Sequence, residues 1–132
     1  MTAITAGTGD RQTFLRRVIY ADAVTCLAMG ALLTQDAAFL AGPLGLPAAL
    51  LKWSGVSLFP IGAFMFLVAT RKPIPALGAW AVIAGNAAWV LGSVALALGM
   101  SMTGLGYAFV LGQAAATAVL ADLEYVGLKR IA

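Results

Sequence analysis

The chain has 132 residues, 62% of them hydrophobic and 10% charged, where soluble domains have about a quarter charged. With a mean hydropathy of +0.97, this excludes a water-soluble globular domain and points to an integral membrane protein. The net charge of +3 comes from cations that flank apolar runs, so they read as topology signals and nucleic acid is not expected as a partner.

Residues 1–13 are small, polar and glycine-bearing, which predicts a flexible cytoplasmic tail. Phe14–Thr34 is the first apolar run, entered through Arg16 and Arg17. It carries Asp22 and lacks a small-x-small cleavage site, so a retained span is expected; a cleaved leader would leave three spans. Ala37–Pro47 is apolar but broken by Gly42, Pro43, Gly45 and Pro47. It reads as a short segment at the membrane surface, with Phe39 and Leu40 dipping inward. A second helix over about 48–70 carries Lys52 and Trp53 near its start and Pro60 at its centre, where a kink is expected from the lost donor.

Arg71-Lys72-Pro73-Ile74-Pro75 stops that helix and anchors it. A third helix over 76–100 follows, then a fourth over about 104–127, with Lys129 and Arg130 beyond it. The expected fold is all-α: an antiparallel bundle of four transmembrane helices in one domain over 14–130, with the interfacial segment between the first two. Each span exceeds or meets the roughly 20 residues that cross a hydrocarbon core. Glycine returns every seven residues in the third helix, at Gly78, Gly85, Gly92 and Gly99. These form a seam without side chains, drifting by about 20° per step. A neighbouring backbone can approach such a seam closely, which predicts that the third helix is the one the others pack against.

Arg11, Arg16, Arg17, Arg71, Lys72, Lys129 and Arg130 fall on one face of the four-span arrangement and Lys52 alone on the other. The positive-inside rule then places both termini in the cytoplasm. Lys52 beside Trp53 reads as an anchor at the outer interface, its ammonium snorkelling past lipid.

Polar side chains within membrane spans are the natural functional candidates. Asp22, Asp122 and Glu124 lie near Arg16, Arg17, Arg71, Lys72, Lys129 and Arg130, a cytoplasmic charge layer in which ion pairs would set helix order; Asp22 as a proton or cation site is the alternative. Asn86 and Gln113 lie deeper. They are expected to bond to each other, or to the Val56 carbonyl freed by Pro60, in bonds worth about 0.6 to 2 kcal/mol; the alternative is that they line a polar cavity. Trp89 and Ser93 share the Asn86 side of the helix. With no histidine and one cysteine, Cys26, an intramolecular disulfide, a histidine-ligated haem and a thiolate or imidazole metal site are excluded. No cofactor is expected, Cys26 reads as a small buried hydrophobe, and no nucleophile–base pair or phosphate-cradling loop occurs, so an enzyme is not expected.

The stretches GLPAALLKWSG, NAAWVLGSV and LGYAFVLGQAAATAVLADLEYVGLKR resemble a group of small bacterial four-helix membrane proteins to which no activity is assigned. The resemblance covers most of Leu15–Arg130. It implies the bacterial inner membrane and carries over no site residue.

The first functional reading is a scaffold or accessory protein acting through helix contacts with lipids, with itself or with another membrane protein. The alternative is a small oligomeric transporter or channel using Asp22, Asn86 and Gln113. The third is lipid or isoprenoid binding near Lys52. Convergence of Asp22, Asn86 and Gln113 on one cavity favours transport; separation into dry pairs disfavours it.

Overall fold

The computed structural model describes the backbone of residues 2–131 and the side chains of residues 12–130. The described residues form four helices and no strands: α1 (Thr2–Leu44), α2 (Ala48–Thr70), α3 (Ala76–Gly99) and α4 (Gly104–Ile131). All four are long and apolar enough to cross a membrane, with segments of 33, 23, 24 and 27 residues meeting that description. The chain is a multi-pass membrane protein.

Proline sets the ends of α2 and α3. Pro47 and Pro75 stand just before them with φ of −59° and −69°, the fixed ring angle that suits a helix start. Helix α2 stays helical through Pro60. An irregularity lies in α1, at Asp36, whose φ of −109° and ψ of 16° leave the helical region.

Beyond Asp36 the chain is helical again to Leu44, so 37–44 is a short helix set off from the rest of α1 by the kink at Asp36. Gly45, at φ 68°, ends it. Leu46 N donates to Ala41 O at 3.2 Å and Gly45 N to Gly42 O at 3.2 Å, the paired closing bonds that a left-handed glycine permits. Phe39 is 77% exposed and faces away from the bundle, while Leu40 packs on the core. Helix α1 starts at Thr2, upstream of the first apolar run. Arg11, one of the cations counted for topology, lies outside the described side chains.

The hub is α1, not α3. Helix α1 packs against both α2 and α4; α3 packs mainly on α4 and barely meets α2. Close approach is made by glycines outside the seam. A Cβ on Gly55 would lie 2.7 Å from Thr34 Oγ1 and 2.8 Å from Leu33 Cβ, and one on Gly30 would lie 2.9 Å from the Gly55 carbonyl oxygen. Of the seam, only Gly78 is in contact, with Val68; Gly85, Gly92 and Gly99 face open space. The reason is angular. The buried face of α3 is Ala79, Val82, Asn86 and Ser93, and each seam glycine from 78 to 92 stands one residue, about 100°, away from it.

Two apolar clusters brace the bundle, one around Leu15, Ile19, Met65, Val68 and Leu128, the other around Leu33, Leu44, Leu51, Leu58 and Val110. Arg16 ties α1 to the end of α2 by donating to the Ala69 carbonyl at 3.1 Å and to the Arg71 carbonyl at 3.2 Å. At the start of α4, Thr103 Oγ1 accepts from Gly106 N at 3.0 Å and donates to Pro43 O at 2.7 Å. It both caps α4 and binds it to α1. Thr103→Ala is expected to lower stability by about 1 kcal/mol, the usual value of an N-cap, read as an earlier unfolding midpoint in detergent.

Candidate functional site

The polar side chains of the spans gather in two layers on one side of α3. In the first, the Asn86 amide nitrogen donates to Asp22 Oδ2 at 2.6 Å and to Glu124 Oε1 at 2.7 Å. One residue thereby joins α1, α3 and α4. All three side chains are buried, Glu124 completely; Glu124 Oε2 meets no N–H or hydroxyl donor among the described residues, and the Asp22 and Glu124 carboxyl groups are close enough to share a proton. Cys26, one turn along α1, donates from Sγ to Asp22 Oδ1 at 3.8 Å and lies 3.8 Å from Met65 Sδ of α2.

The second layer is seven residues further along α3, about 10 Å. Gln113 Oε1 accepts from Trp89 Nε1 at 2.8 Å, and Gln113 Nε2 donates to Ser93 Oγ at 2.9 Å and to Val110 O at 2.8 Å. Ser93 Oγ in turn donates to Trp89 O at 2.8 Å. This layer is satisfied within itself.

Three expectations change. Asn86 and Gln113 do not bond to each other or to Val56; each takes partners in its own layer. Asp22 and Glu124 are drawn out of the expected charge layer, and the donors they meet are an amide and a thiol. The cations go elsewhere: Arg16 to the carbonyls above, Lys129 to 5.3 Å from the Tyr125 ring centroid and Arg130 to 5.4 Å from that of Phe14. Arg17, Arg71, Lys72 and Asp122 are exposed. Lys52 and Trp53 are exposed as well, with the ammonium 5.9 Å from the indole centroid.

The layers open onto space left where α3 stands off from α2. A cavity of about 270 Å³ is lined by Asp22, Cys26 and Asn86 together with Trp89, Gln113 and Thr117. A larger cleft of about 480 Å³ runs between α2 and α3, walled by Leu33, Leu50, Leu96, Phe109, Gly92 and Ser93 among others. Met29, Ile61, Gly85, Trp89 and Gln113 border both. The glycine seam therefore supplies one wall of a cleft, and Asp22, Asn86 and Gln113 line one cavity.

Glu124 is the site residue that sequence reasoning placed wrongly, as a member of a charge layer. A signal existed: Gln113, Thr117, Leu120 and Glu124 recur at four, three and four residues, one face of α4, whereas Asp122 sits off it. On α1, Leu15, Ile19, Asp22, Cys26 and Leu33 likewise share the inward stripe. Compared with known proteins, the chain matches no family model, no curated protein and no solved structure.

Proposed function

We propose that this protein is a small membrane carrier whose cargo binds in the cavity between α2 and α3 and whose Asp22–Asn86–Glu124 cluster exchanges a proton or cation. The observation that carries it is the convergence of Asp22, Asn86 and Gln113 on one cavity, with two buried carboxylates held on a single amide nitrogen. Like charges so close, out of water, repel strongly unless a proton or a cation lies between them. A site that must take up a positive charge, set beside a cavity, is a coupling site.

The setting we infer is the bacterial inner membrane, in line with the resemblance of the sequence. Seven of the 8 Lys and Arg residues support cytoplasmic termini. Consecutive helices then alternate in direction, as the contacts of Arg16 with Ala69 and of Gly30 with Gly55 favour. The part of α1 beyond Asp36 lies along the outer surface of the bilayer. No chemistry is assigned to the chain beyond binding and exchange, and no cofactor.

The carrier reading is tested by proton flux in proteoliposomes that hold a pH-sensitive dye, with the membrane potential clamped. Flux several-fold above empty vesicles is expected, and Asp22→Asn and Glu124→Gln are expected to abolish it. A parent indistinguishable from empty vesicles, or both variants unchanged, overturns the reading. The scaffold reading keeps one observation of its own: Gly85, Gly92 and Gly99 leave room on α3 for a helix of a second copy or of another membrane protein.

A further inference from the structure

We infer that the ligand of the α2/α3 cavity is an amphipathic organic monocation, an ammonium or onium group on an apolar body; this names the cargo class and rests on the carrier reading. Its charge follows from the base of the cavity. Asp22, 2% exposed, lines the smaller chamber, and Glu124, 0% exposed, stands behind it against the Asp22 carboxyl, so that a pair sharing one proton still carries a negative charge. An anion is repelled there, and a neutral lipid gives no reason to bury two carboxylates.

Its apolar body follows from the walls. Met29, Leu33, Ile61, Leu96 and Phe109 dominate the two chambers, and their polar neighbours Gln113, Ser93 and the Trp89 Nε1 are already bonded to one another. The larger chamber, at about 480 Å³, falls in the usual range of small-molecule sites. Where the two chambers join, Trp89 offers an indole, the aromatic ring best suited to a cation.

An inorganic cation fits poorly. A hard ion needs several oxygen ligands, yet Asp22 Oδ2 and Glu124 Oε1 are occupied by the Asn86 amide and Asp22 Oδ1 faces a thiol. Within the surrounding helices the backbone carbonyls are bonded along the chain, the Val56 carbonyl freed by Pro60 excepted. An onium group needs no such shell. The open side between α2 and α3 gives such a ligand access from the bilayer.

Proton and ligand then compete for one pair of carboxylates. The groups that face the pair are Cys26 from α1 and the Asn86 amide from α3; α2 contributes the Met65 thioether against Cys26, and α4 contributes Glu124 itself. None of these carries a positive charge.

The test is equilibrium binding to the full chain in nanodiscs, using tetraphenylphosphonium and its near-isosteric anion tetraphenylborate, with empty nanodiscs as background. Saturable binding of the cation is expected, at least about tenfold tighter than the anion and displaced on acidification. Glu124→Gln and Asp22→Asn are each expected to weaken it about tenfold or more. Equal binding of the two ions in the parent overturns the inference whether or not a variant folds, since it reports an apolar cleft alone. Cation binding unchanged by both variants and by acid overturns it too. The carrier reading fails separately: proton flux without cation selectivity leaves a carrier with another cargo, and selective binding without flux leaves a cation site that does not transport.

Discussion

Replacing Asn86 by leucine is expected to be the most damaging single substitution among the polar residues of the spans. The change removes the donor shared by Asp22 Oδ2 and Glu124 Oε1 and leaves two buried carboxylates without it. Breaking a buried charged network from one side costs about 3 kcal/mol or more, well above the typical single interhelical bond in a membrane. Thermal unfolding in detergent is the measurement. Adding Glu124→Leu to Asn86→Leu is expected to restore part of the loss, because it removes one of the two stranded carboxylates and the repulsion between them, leaving Asp22 alone. A single variant as stable as the parent would mean that Asn86 does not hold the cluster together.

Gly55→Leu comes next, and it separates α1 from α3 as the hub of the bundle. At Gly55 the first added atom already meets Leu33 Cβ at 2.8 Å and the Thr34 backbone nitrogen at 2.8 Å, and backbone cannot swing aside. Overpacking costs about 1 to 3 kcal/mol when neighbours can shift, so a rigid site is expected at or above the top of that range. Gly92→Leu, on the regular seam, has nothing within 4 Å to meet and is expected to leave the unfolding temperature nearly unchanged. The opposite ranking in the same detergent assay would restore the seam as the packing device.

Composition and punctuation carried the membrane class and the helix ends: Pro47, the Arg71–Pro75 turn and Thr103 sit where α2, α3 and α4 stop or start. Helix pairing was not legible, for a physical reason. A glycine period in one helix identifies a face that tolerates close approach; it carries no information on which neighbour takes that face. On α2, Gly55 and Gly62 are only two glycines at the same seven-residue spacing and Gly30 stands apart on α1, yet these glycines lie at the α1–α2 contact.

Sequence distance to the nearest cations hides the cluster. Counted from Arg17, Asp22 is shallow. The level that the helices share is set by Gln12 Oε1, which accepts from Ile74 N at 3.1 Å. From there Asp22 is ten residues along α1, and Asn86 is ten residues into α3 from its start at Ala76, about 15 Å of helix in each case. On that scale the two belong to one layer, and Glu124 of α4 joins them.

The order in which α1 finds its partners bears on how the protein is made. Synthesis delivers α2 immediately after α1, so the first hairpin and its glycine contacts form from adjacent sequence. Asp22, however, waits for Asn86, 64 residues downstream, and that amide reaches Glu124 only after a further 38. Until the second hairpin leaves the ribosome and docks, the first sits in the bilayer with a carboxylate whose amide partner has not been translated. Helix α4 therefore completes the polar centre of α1, and a chain truncated before Glu124 would keep the α1–α2 contact while lacking its site.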